Sequence, residues 1–399
     1  MSDETIQEDE TLPGDAPRRV LMIAQNSRNR RVWRQAQELL ASGYRVSVIC
    51  PGQAPPKCPD GVSLYRYPLY EGNGRYLWSL LCQFILACRA LAREGFDVIH
   101  ACNPPDGVFL IGGFFKFMFD KKFLFDQCLA MPECYEAKFQ RRGIGYQIRI
   151  GAEKLAFNMA DVSIAPNESY RQIALTRGHM QPGRAFIVRN GPGLEQFHIR
   201  PPTPALRMGN KYLVGCLCAG ERQDRLPHLI EAVRHIVYDL KRADIHFTLI
   251  GGGPSLENYK NLAVEKQLGD DIEFAGPASE QIMLDILNTA DICVSTDAAN
   301  PANDQSSANP IVDYMALGKP IVQYESVEGH FSAGGASLYA AANDTADFAA
   351  KIIALIDNPQ QRASMSALGR ARVERSLAWR YEAPRLLAAY DAIFAEAGR

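Results

Sequence analysis

Apolar strands alternate with helices along most of this chain, and the alternation occurs twice. The first series opens with "VLMIA", "RRVWRQAQELLASG" and "YRVSVIC", a buried strand, an amphipathic helix and another buried strand. The second series opens with "KYLVGCLC" and continues through "IHFTLIGGG", "IEFAG", "DICVST" and "PIVQYE". Strands that are apolar throughout favour parallel sheets covered by helices on both faces. We therefore predict an α/β chain with two open sheets, whose ligand crevices face one another across a cleft.

The domain boundaries are predicted from this duplication and from shifts in composition. The acidic start "MSDETIQEDETLPGDAP" lacks the apolar core of a secretion signal and is predicted to be a disordered tail of a cytoplasmic protein. The proline-rich run "PGLEQFHIRPPTPALRMGN" separates the two series as a linker. The predicted parts are the tail at 1–17, an N-terminal domain at 18–193, the linker at 194–210, a C-terminal domain at 211–375 and a helix at 376–399 that returns to the N-terminal domain.

Composition argues against several classes of function. The formal net charge of -2 offers no global attraction to nucleic acid. Ten cysteines occur without a C-x-x-C pair, and Cys216 and Cys218 alternate within an apolar run, which favours reduced thiols over a zinc site or a disulfide framework. The most apolar stretch, "GVFLIGGFFKFMF" at 107–119, is shorter than the roughly twenty residues of a membrane span and is predicted to be a core helix.

The stretch "SSANPIVDYMALGKPIV" at 306–322 is predicted to be a short helix followed by a buried strand. Asn309 is the expected N-cap and Pro310 the first helical residue, while Gly318 can take the left-handed conformation that ends the helix. Asp313 lies one turn into this helix. Two interpretations stay open. The carboxylate complements the helix dipole, or it binds a hydroxyl-bearing ligand whose phosphate lies at the helix N-terminus.

Glycines and arginines follow strands of the second series, at the edge where such sheets bind ligands. Gly251, Gly252 and Gly253 in "IGGGP" would let the backbone approach a ligand closely, although a tight strand-to-helix turn needs the same residues. They do not form G-x-G-x-x-G, which argues against an NAD enzyme. Arg222 and Arg225 in "AGERQDR" could offer forked donors to a diphosphate, and "NSRNRR" repeats this pattern after the first strand. The alternative in both places is a solvated basic loop.

Several motifs in their order resemble the family 4 retaining glycosyltransferases of the GT-B fold, particularly the branch that builds bacterial surface polysaccharides. They are "DVIHACNPP", "FLFD", "ADVSIAPNESY", "VRNGP", "IGGGP", "FAG", "TADICVSTD", "NDQSSANPIVDYMALGKPIV" and "SAGGASLYA". The resemblance covers nearly the whole chain from about Arg18. It implies two facing Rossmann-like domains, a nucleotide-sugar donor held mainly by the C-terminal one, an acceptor held mainly by the N-terminal one, and neither a metal nor another cofactor.

The resemblance also implies roles for individual residues. Asp313 stands where the family carries an acidic residue, usually glutamate, that grips the ribose of the donor; aspartate is one methylene shorter. The run "NDQSSAN" at 303–309 partly matches a segment that contacts the sugar, and Arg222 falls where a basic residue binds the diphosphate. The implied catalytic residues are Arg222 and Asp304, and the implied donor-binding residues are Arg222, Arg225, Gly251, Gly252, Gly253, Gly276, Gln305, Ser306, Ser307, Asn309 and Asp313. The implied acceptor-side residues are Asn26, Arg30, Gln127 and Glu133.

One departure from the family lies in "FDQCLAMPECYEAKF" at 125–139. Related enzymes commonly carry histidines and an aspartate after this strand, whereas this chain has Gln127, Cys128 and Leu129. Retaining transfer in this fold needs little from a protein base, because the departing diphosphate can take the acceptor proton while Arg or Lys stabilises its charge. The expected function is transfer of a hexose from a nucleotide diphosphate-sugar to a saccharide, expected to be lipid-linked, in surface polysaccharide biosynthesis. The alternative is a non-catalytic subunit that binds nucleotide or a partner enzyme.

A basic and apolar stretch bears on where such an acceptor would be met. "KFQRRGIGYQIRIGAEK" at 138–154 places Ile and Tyr beside Arg and Lys on a helical face, which suits peripheral contact with the inner membrane. The alternative is a core helix with solvated basic residues.

Overall fold

The computed structural model describes residues 17–24, 26–27, 29–52, 58–70, 72, 74–218, 226–253, 255–297 and 299–395. The chain divides into two compact units, Met1–Asp126 with Met159–Asp161 and Gln127–Asn158 with Val162–Arg399. The domain boundaries drawn from the sequence stay predictions.

The first unit alternates strands with helices, and all of its strand pairs are parallel. Within it β1 pairs with β2 and β4, β2 with β3, and β4 with β5. Its elements are β1 (Arg19–Ile23), α1 (Arg30–Ala41), β2 (Arg45–Pro51), β3 (Ser63–Tyr67), α2 (Arg75–Arg93), β4 (Val98–Cys102), α3 (Phe109–Phe119) and β5 (Lys122–Asp126).

The second unit contains a parallel strand pair and a parallel sheet of six strands. The pair is β6 (Val162–Ala165) with β7 (Ala185–Ile187), and its helices are α4 (Met131–Phe139), α5 (Ile144–Met159) and α6 (Glu168–Thr176). The sheet has the strand order β10-β9-β8-β11-β12-β13. Its elements are β8 (Tyr212–Leu217), α7 (Leu226–Arg234), β9 (Ile245–Ile250), α8 (Leu256–Glu265), β10 (Ile272–Gly276), α9 (Glu280–Thr289), β11 (Ile292–Ser295), α10 (Pro301–Asp304), α11 (Asn309–Ala316), β12 (Ile321–Tyr324), α12 (Val327–Ala333), β13 (Ser337–Ala340), α13 (Thr345–Ile356), α14 (Pro359–Arg372) and α15 (Trp379–Phe394).

Both faces of the six-stranded sheet are buried, as its continuous apolar strands predict. Val214 of β8 packs in one core cluster with Ile230 of α7 and Phe348 of α13. Its neighbour Leu213 points to the other face and packs with Leu287 of α9 and with α11. Because successive strand side chains alternate between the faces, a strand covered by helices on both sides is apolar at every position.

Residues of the predicted linker are attached to the unit that holds this sheet. Arg200 N donates to Asn288 Oδ1 at 2.9 Å, and Thr203 N donates to Thr289 Oγ1 at 2.9 Å. After the sheet, α15 contacts β6 and β7 of the same unit. These contacts give the segment between β7 and β8 a defined path.

The predicted core helix α3 is covered on one face only, and α5, for which a core helix was the alternative, has an exposed end. In α3, Ile111 and Phe115 are buried, but Phe117 is 73% and Met118 66% exposed, so only one face contributes to the core. In α5, which begins within the basic stretch 138–154, Ile144 is 81% exposed. None of the helices in the described part of the chain combines the length and the apolar character that a membrane crossing requires.

The start of α11 also differs from the prediction. Ala308 occupies the N-cap position and no side chain caps the helix, while Asn309 lies inside it and its Oδ1 accepts a hydrogen bond from Asn190 Nδ2 at 3.0 Å. The C-terminal prediction is confirmed, since Gly318 has φ +65° and follows the last turn. Asn309 is drawn away from the capping position by its tertiary partner.

Candidate functional site

Glycines lie at the carboxyl ends of β9 and β10. Gly251 N donates to Gly276 O at 2.9 Å, and Gly251 has φ +146°, a conformation that side chains rarely allow. A Cβ added at Gly251 would lie 1.7 Å from Cys218 O, and one at Gly252 would lie 2.9 Å from a side-chain carbon of Pro277. The structure therefore brings Gly251 and Gly276 together, and at Gly251 the neighbouring backbone lies too close for any side chain. At Gly276 the reason for glycine is the backbone conformation, φ +67°, because an added Cβ would meet no atom within 4 Å.

The predicted diphosphate ligands Arg222 and Arg225 lie outside the described residues, between Cys218 and the start of α7. Gly253 is the third residue after β9 and is exposed. The roles of these three residues stay predictions.

Helix α11 is fastened to the sheet by one buried tyrosine. Tyr314 Oη accepts a hydrogen bond from Leu217 N at 2.6 Å, at the end of β8, and lies 3.3 Å from Val294 O of β11, to which it donates. Burial raises the pKa of Tyr314, so the hydroxyl stays protonated and keeps both bonds. Asp313, one residue earlier, is only 3% exposed. The tyrosine thus sets where the uncapped helix start and Asp313 lie relative to the strand ends.

The loop before α11, residues 304–308, is held from several sides. Asp304 Oδ1 accepts from Val327 N at 2.9 Å, at the first residue of α12. Asn167 Nδ2 donates to Gln305 O at 2.7 Å and to Ser307 Oγ at 3.0 Å. These bonds place Asp304, Gln305, Ser306 and Ser307 on one short anchored segment, consistent with a shared ligand.

Glu328 of α12 completes this anchorage. It is 3% exposed, and its two oxygens accept from Ser169 Oγ at 2.7 Å and from Ser307 Oγ at 3.5 Å. Sequence reasoning missed Asn167, Ser169 and Glu328. Asn167 could have been recognised as the N-cap of α6, because an asparagine directly precedes Glu168, the first helical residue. Its contact with residue 305 has no local signal.

The predicted acceptor-side residues Gln127 and Glu133 belong to a buried network. Gln127 Nε2 donates to Glu153 Oε2 at 3.0 Å, and Arg177 pairs with Glu133 Oε1 at 2.7 Å and with Glu153 Oε2 at 3.1 Å. Burial by itself would lower the pKa of the Arg177 guanidinium, but the two carboxylates raise it. Gln127 is fully buried and Glu133 nearly so, and both are engaged with protein partners.

The other two acceptor-side residues lie in the first unit. Asn26 is exposed just after β1, and its carbonyl oxygen accepts from Asn29 N at 3.1 Å. Arg30 begins α1 and is half-buried.

Solved structures resemble this chain over most of its length. The sucrose-phosphate synthase of Thermosynechococcus elongatus is 17% identical with a TM-score of 0.78, covering 95% of this chain and 100% of that one. Anabaena HepE in complex with UDP is 14% identical with a TM-score of 0.71, covering 94% of this chain and 100% of that one. At these identities the likeness concerns the fold, two Rossmann-like parallel sheets.

Two family models match the two halves of the sequence. "Glycosyltransferase Family 4" matches residues 29–196, and "Glycosyl transferases group 1" matches residues 211–358. This chain belongs to the GT-B glycosyltransferases. The predicted fold class and enzyme class are confirmed.

A curated relative is consistent with this family. The D-inositol 3-phosphate glycosyltransferase of Thermomonospora curvata is 26% identical to this glycosyltransferase over 268 residues. The match covers 61% of this chain and 58% of that relative, which is less than two thirds of the relative's length.

One group of side chains in the glycosyltransferase has ligand atoms suited to a metal, namely His100, Cys102 and Asp126, which lie within 4.8 Å of one another. Arg31 Nε and a terminal guanidinium nitrogen donate to the two oxygens of Asp126 at 2.7 and 2.9 Å. Burial alone would raise the pKa of Asp126, but Arg31 and His100 hold it well below its usual range. Because the buried carboxylate already has its counter-charge, we assign this cluster a structural role.

Proposed function

We propose that this glycosyltransferase transfers a hexose, with retention of anomeric configuration, from a nucleotide diphosphate-sugar to a saccharide acceptor. The observation that carries the proposal is the start of α11. No side chain caps this helix, although Pro310 has no N–H and Ile311 N donates to Ala308 O at 3.1 Å. The uncapped positive end of the helix dipole, with the N–H of Asn309, suits an anion, and Asp313 lies on the same helix. A diphosphate at the helix start with a ribose hydroxyl on Asp313 uses both features. This is also the second of the two interpretations left open by the sequence.

The strand-end glycines support the same donor. Parallel sheets of this kind bind nucleotides outside the carboxyl ends of their strands, where Gly251 and Gly276 lie. Anabaena HepE, solved with UDP, is a structural neighbour, and UDP is therefore the first nucleotide to test.

The main requirement of the proposed reaction is stabilisation of the departing nucleotide diphosphate. Negative charge grows on the diphosphate as the sugar leaves, and the N–H groups of α11 together with Arg222 would stabilise it. The diphosphate oxygen would take the proton of the acceptor hydroxyl, so that Gln127, Cys128 and Leu129 can replace the family's histidines. Asp304 and Gln305, on the anchored loop, would contact the hexose.

A lipid-linked acceptor in surface polysaccharide biosynthesis is the proposed substrate class. Its support is the motif resemblance together with α5, where Ile144 and Ile148 are 81% and 64% exposed beside the basic residues of 138–154. Exposed isoleucines flanked by arginine and lysine favour peripheral contact with an anionic membrane face.

Calorimetric titration with UDP, GDP and their sugar conjugates tests the donor site. Wild type should bind one of the two nucleotides, and Arg222→Ala and Asp313→Ala should each weaken that binding by about tenfold or more. The exposed controls Arg375→Ala and Asp270→Ala should bind as wild type does. No binding of any nucleotide to a folded wild type would contradict the proposal.

Vesicle sedimentation tests the acceptor side. Ile144→Glu with Ile148→Glu should abolish binding to vesicles rich in anionic lipid. Ile282→Glu with Val264→Glu, which changes two exposed apolar side chains elsewhere, should not. If both double variants bind the vesicles equally well, α5 no longer supports membrane contact or a lipid-linked acceptor.

The second candidate is a non-catalytic subunit that binds nucleotide or a partner enzyme. It is favoured by the engagement of Gln127 and Glu133 in a buried network, where an acceptor is expected. A protein that binds nucleotide but neither transfers nor hydrolyses any donor would support it and exclude the first.

A further inference from the structure

An open groove with four arginines lies in the second unit, apart from the strand-end glycines. We call it the arginine groove; it measures about 560 Å³ and its wall includes Arg171, Arg189, Arg372 and Arg385 with Phe331 and Ile187. These residues come from α6, the end of β7, α12, the end of α14 and α15. Among the residues that the structure describes, no aspartate or glutamate lines it. It is unusual for so many like charges to line one concave surface without acidic residues between them.

Two of the four arginines have carboxylate partners beside the groove. Arg171 pairs with Glu168 at 3.2 Å, and Arg385 pairs with Glu382 at 2.8 Å. Glu382 is fully buried and also accepts from the backbone N–H of Arg189 at 2.9 Å.

The other two arginines form no ion pair within the described part of the chain. Arg372 Nε donates to Ser332 O at 2.9 Å, and another of its nitrogens donates to Phe331 O. Carbonyl oxygens satisfy its hydrogen bonds without neutralising its charge. The groove therefore keeps positive charge at Arg372.

Arg189 also keeps a positive charge that no carboxylate pairs with within the described residues. Its guanidinium lies 4.4 Å from the centre of the Phe331 ring, a cation–π contact that leaves the edges of the guanidinium free to donate. Burial lowers the pKa of Arg189, and the neighbouring Glu328 and Glu382 only partly offset this. A half-buried guanidinium without a paired anion costs free energy that a bound anion would recover.

We propose that the arginine groove binds a phosphomonoester, with the phosphate between Arg189 and Arg372 and its organic part against Phe331 and Ile187. Guanidinium groups bind phosphate oxygens in pairs, and an aromatic and aliphatic wall favours a ligand with a carbon skeleton over a bare inorganic ion. Arg189 directly precedes Asn190, whose Nδ2 donates to Asn309 Oδ1 at the start of α11. A phosphate bound to Arg189 would therefore lie next to Asn190, the residue that contacts the start of α11.

Calorimetry with glycerol 3-phosphate and with inorganic phosphate, at low ionic strength, tests the groove. Glycerol 3-phosphate should bind wild type more tightly than inorganic phosphate does. Arg189→Gln should weaken binding by about tenfold or more, since it removes a charged hydrogen-bond donor. Arg372→Lys should weaken it less, because the charge is kept. Arg375→Gln is the matched control, since it removes the same charge from an exposed neighbouring position that does not line the groove.

Three outcomes would overturn the proposal. The first is that wild type binds neither soluble probe nor vesicles carrying phosphatidic acid. The second is that Arg189→Gln and Arg375→Gln bind equally. The third is that Arg222→Ala alone abolishes binding, which would move the phosphate to the donor region. Urea unfolding of each variant checks that it is folded. Arg189→Gln removes no side-chain hydrogen bond within the described residues and only the cation–π contact with Phe331, so this variant should stay folded. Sedimentation with vesicles that carry phosphatidic acid is the second experiment. If wild type binds these vesicles but neither soluble probe, and Arg189→Gln loses the binding, the phosphomonoester belongs to a lipid headgroup.

Discussion

The side chain of Asn167 joins the start of α6 to the carbonyl oxygen of Gln305, 2.7 Å from its Nδ2. The same nitrogen donates to Ser307 Oγ, and Oδ1 accepts from Tyr170 N at 2.8 Å, so one fully buried amide caps a helix and holds a loop. The loop leads into α11, where we place the donor diphosphate. Asn167 is accordingly a positioning residue for the proposed site.

Asn167→Asp and Asn167→Ala separate these two tasks. Aspartate keeps the capping oxygen but loses both donors to the loop, whereas alanine loses everything, including about 1 kcal/mol from the cap. Both variants should weaken donor binding, and only alanine should also lose the capping contribution to unfolding free energy. Urea unfolding and nucleotide titration measure the two effects. Unchanged donor binding in both variants would show that the loop needs no such anchor.

Gly251→Ala should disrupt the strand ends. Its Cβ would lie 1.7 Å from Cys218 O, at a φ that alanine avoids, so the backbone of β8 or β9 must move. We expect a loss of about 3 kcal/mol or more in unfolding free energy and loss of nucleotide binding. Gly269→Ala is the control, because it has no atom within 4 Å of the added methyl. Equal stability of the two variants would contradict this packing.

Arg177→Met should leave Glu133 and Glu153 buried without their cation. Removing one partner from a buried ion network costs about 3–5 kcal/mol. The control is Arg142→Met, whose pair with Glu136 is 64% exposed on the arginine side and should cost less than about 1 kcal/mol. Urea denaturation at neutral pH gives both values. A cost for Arg177→Met as small as that of the control would contradict the role of Arg177 as the cation that holds the two buried glutamates.

The Arg31 and Asp126 pair should make stability fall in acid. The folded-state pKa of Asp126 is held below its unfolded value of about 3.9, so its contribution is present above that pH and lost as the pH falls through the folded pKa. The difference in unfolding free energy between wild type and Asp126→Asn should therefore be constant near neutrality and shrink below about pH 4. A difference that stays constant down to pH 2 would refute this role for Asp126.

Much of the fold could be predicted because it depends on neighbouring residues. Continuous apolar strands such as "KYLVGCLC" predicted a sheet buried on both faces, and alternating side chains such as Leu213 and Val214 realise it. Gly318 was placed correctly as the left-handed end of α11. Periodicity could not show how much of α3 is covered, because both faces of that helix are apolar in sequence.

The candidate site was predictable in part for the same reason. A glycine that directly follows a strand predicts, from local sequence alone, that another backbone segment or a ligand lies close to it. Gly251 confirms this prediction, because it lies against the backbone of Cys218. Asn309 was assigned the wrong local role because its partner, Asn190, lies 119 residues away.

The sequence by itself determined the order of strands and helices, the left-handed end of α11 at Gly318 and the glycine after β9, since each follows from side chains a few positions apart. Only the tertiary structure decided which polar groups pair. Asn167 and Gln305 are 138 residues apart, and the arginine groove gathers side chains from β7 and four helices. Such pairings depend on how whole helices and strands pack. A buried polar group needs a hydrogen-bond partner, and that partner can be a residue far away in the sequence.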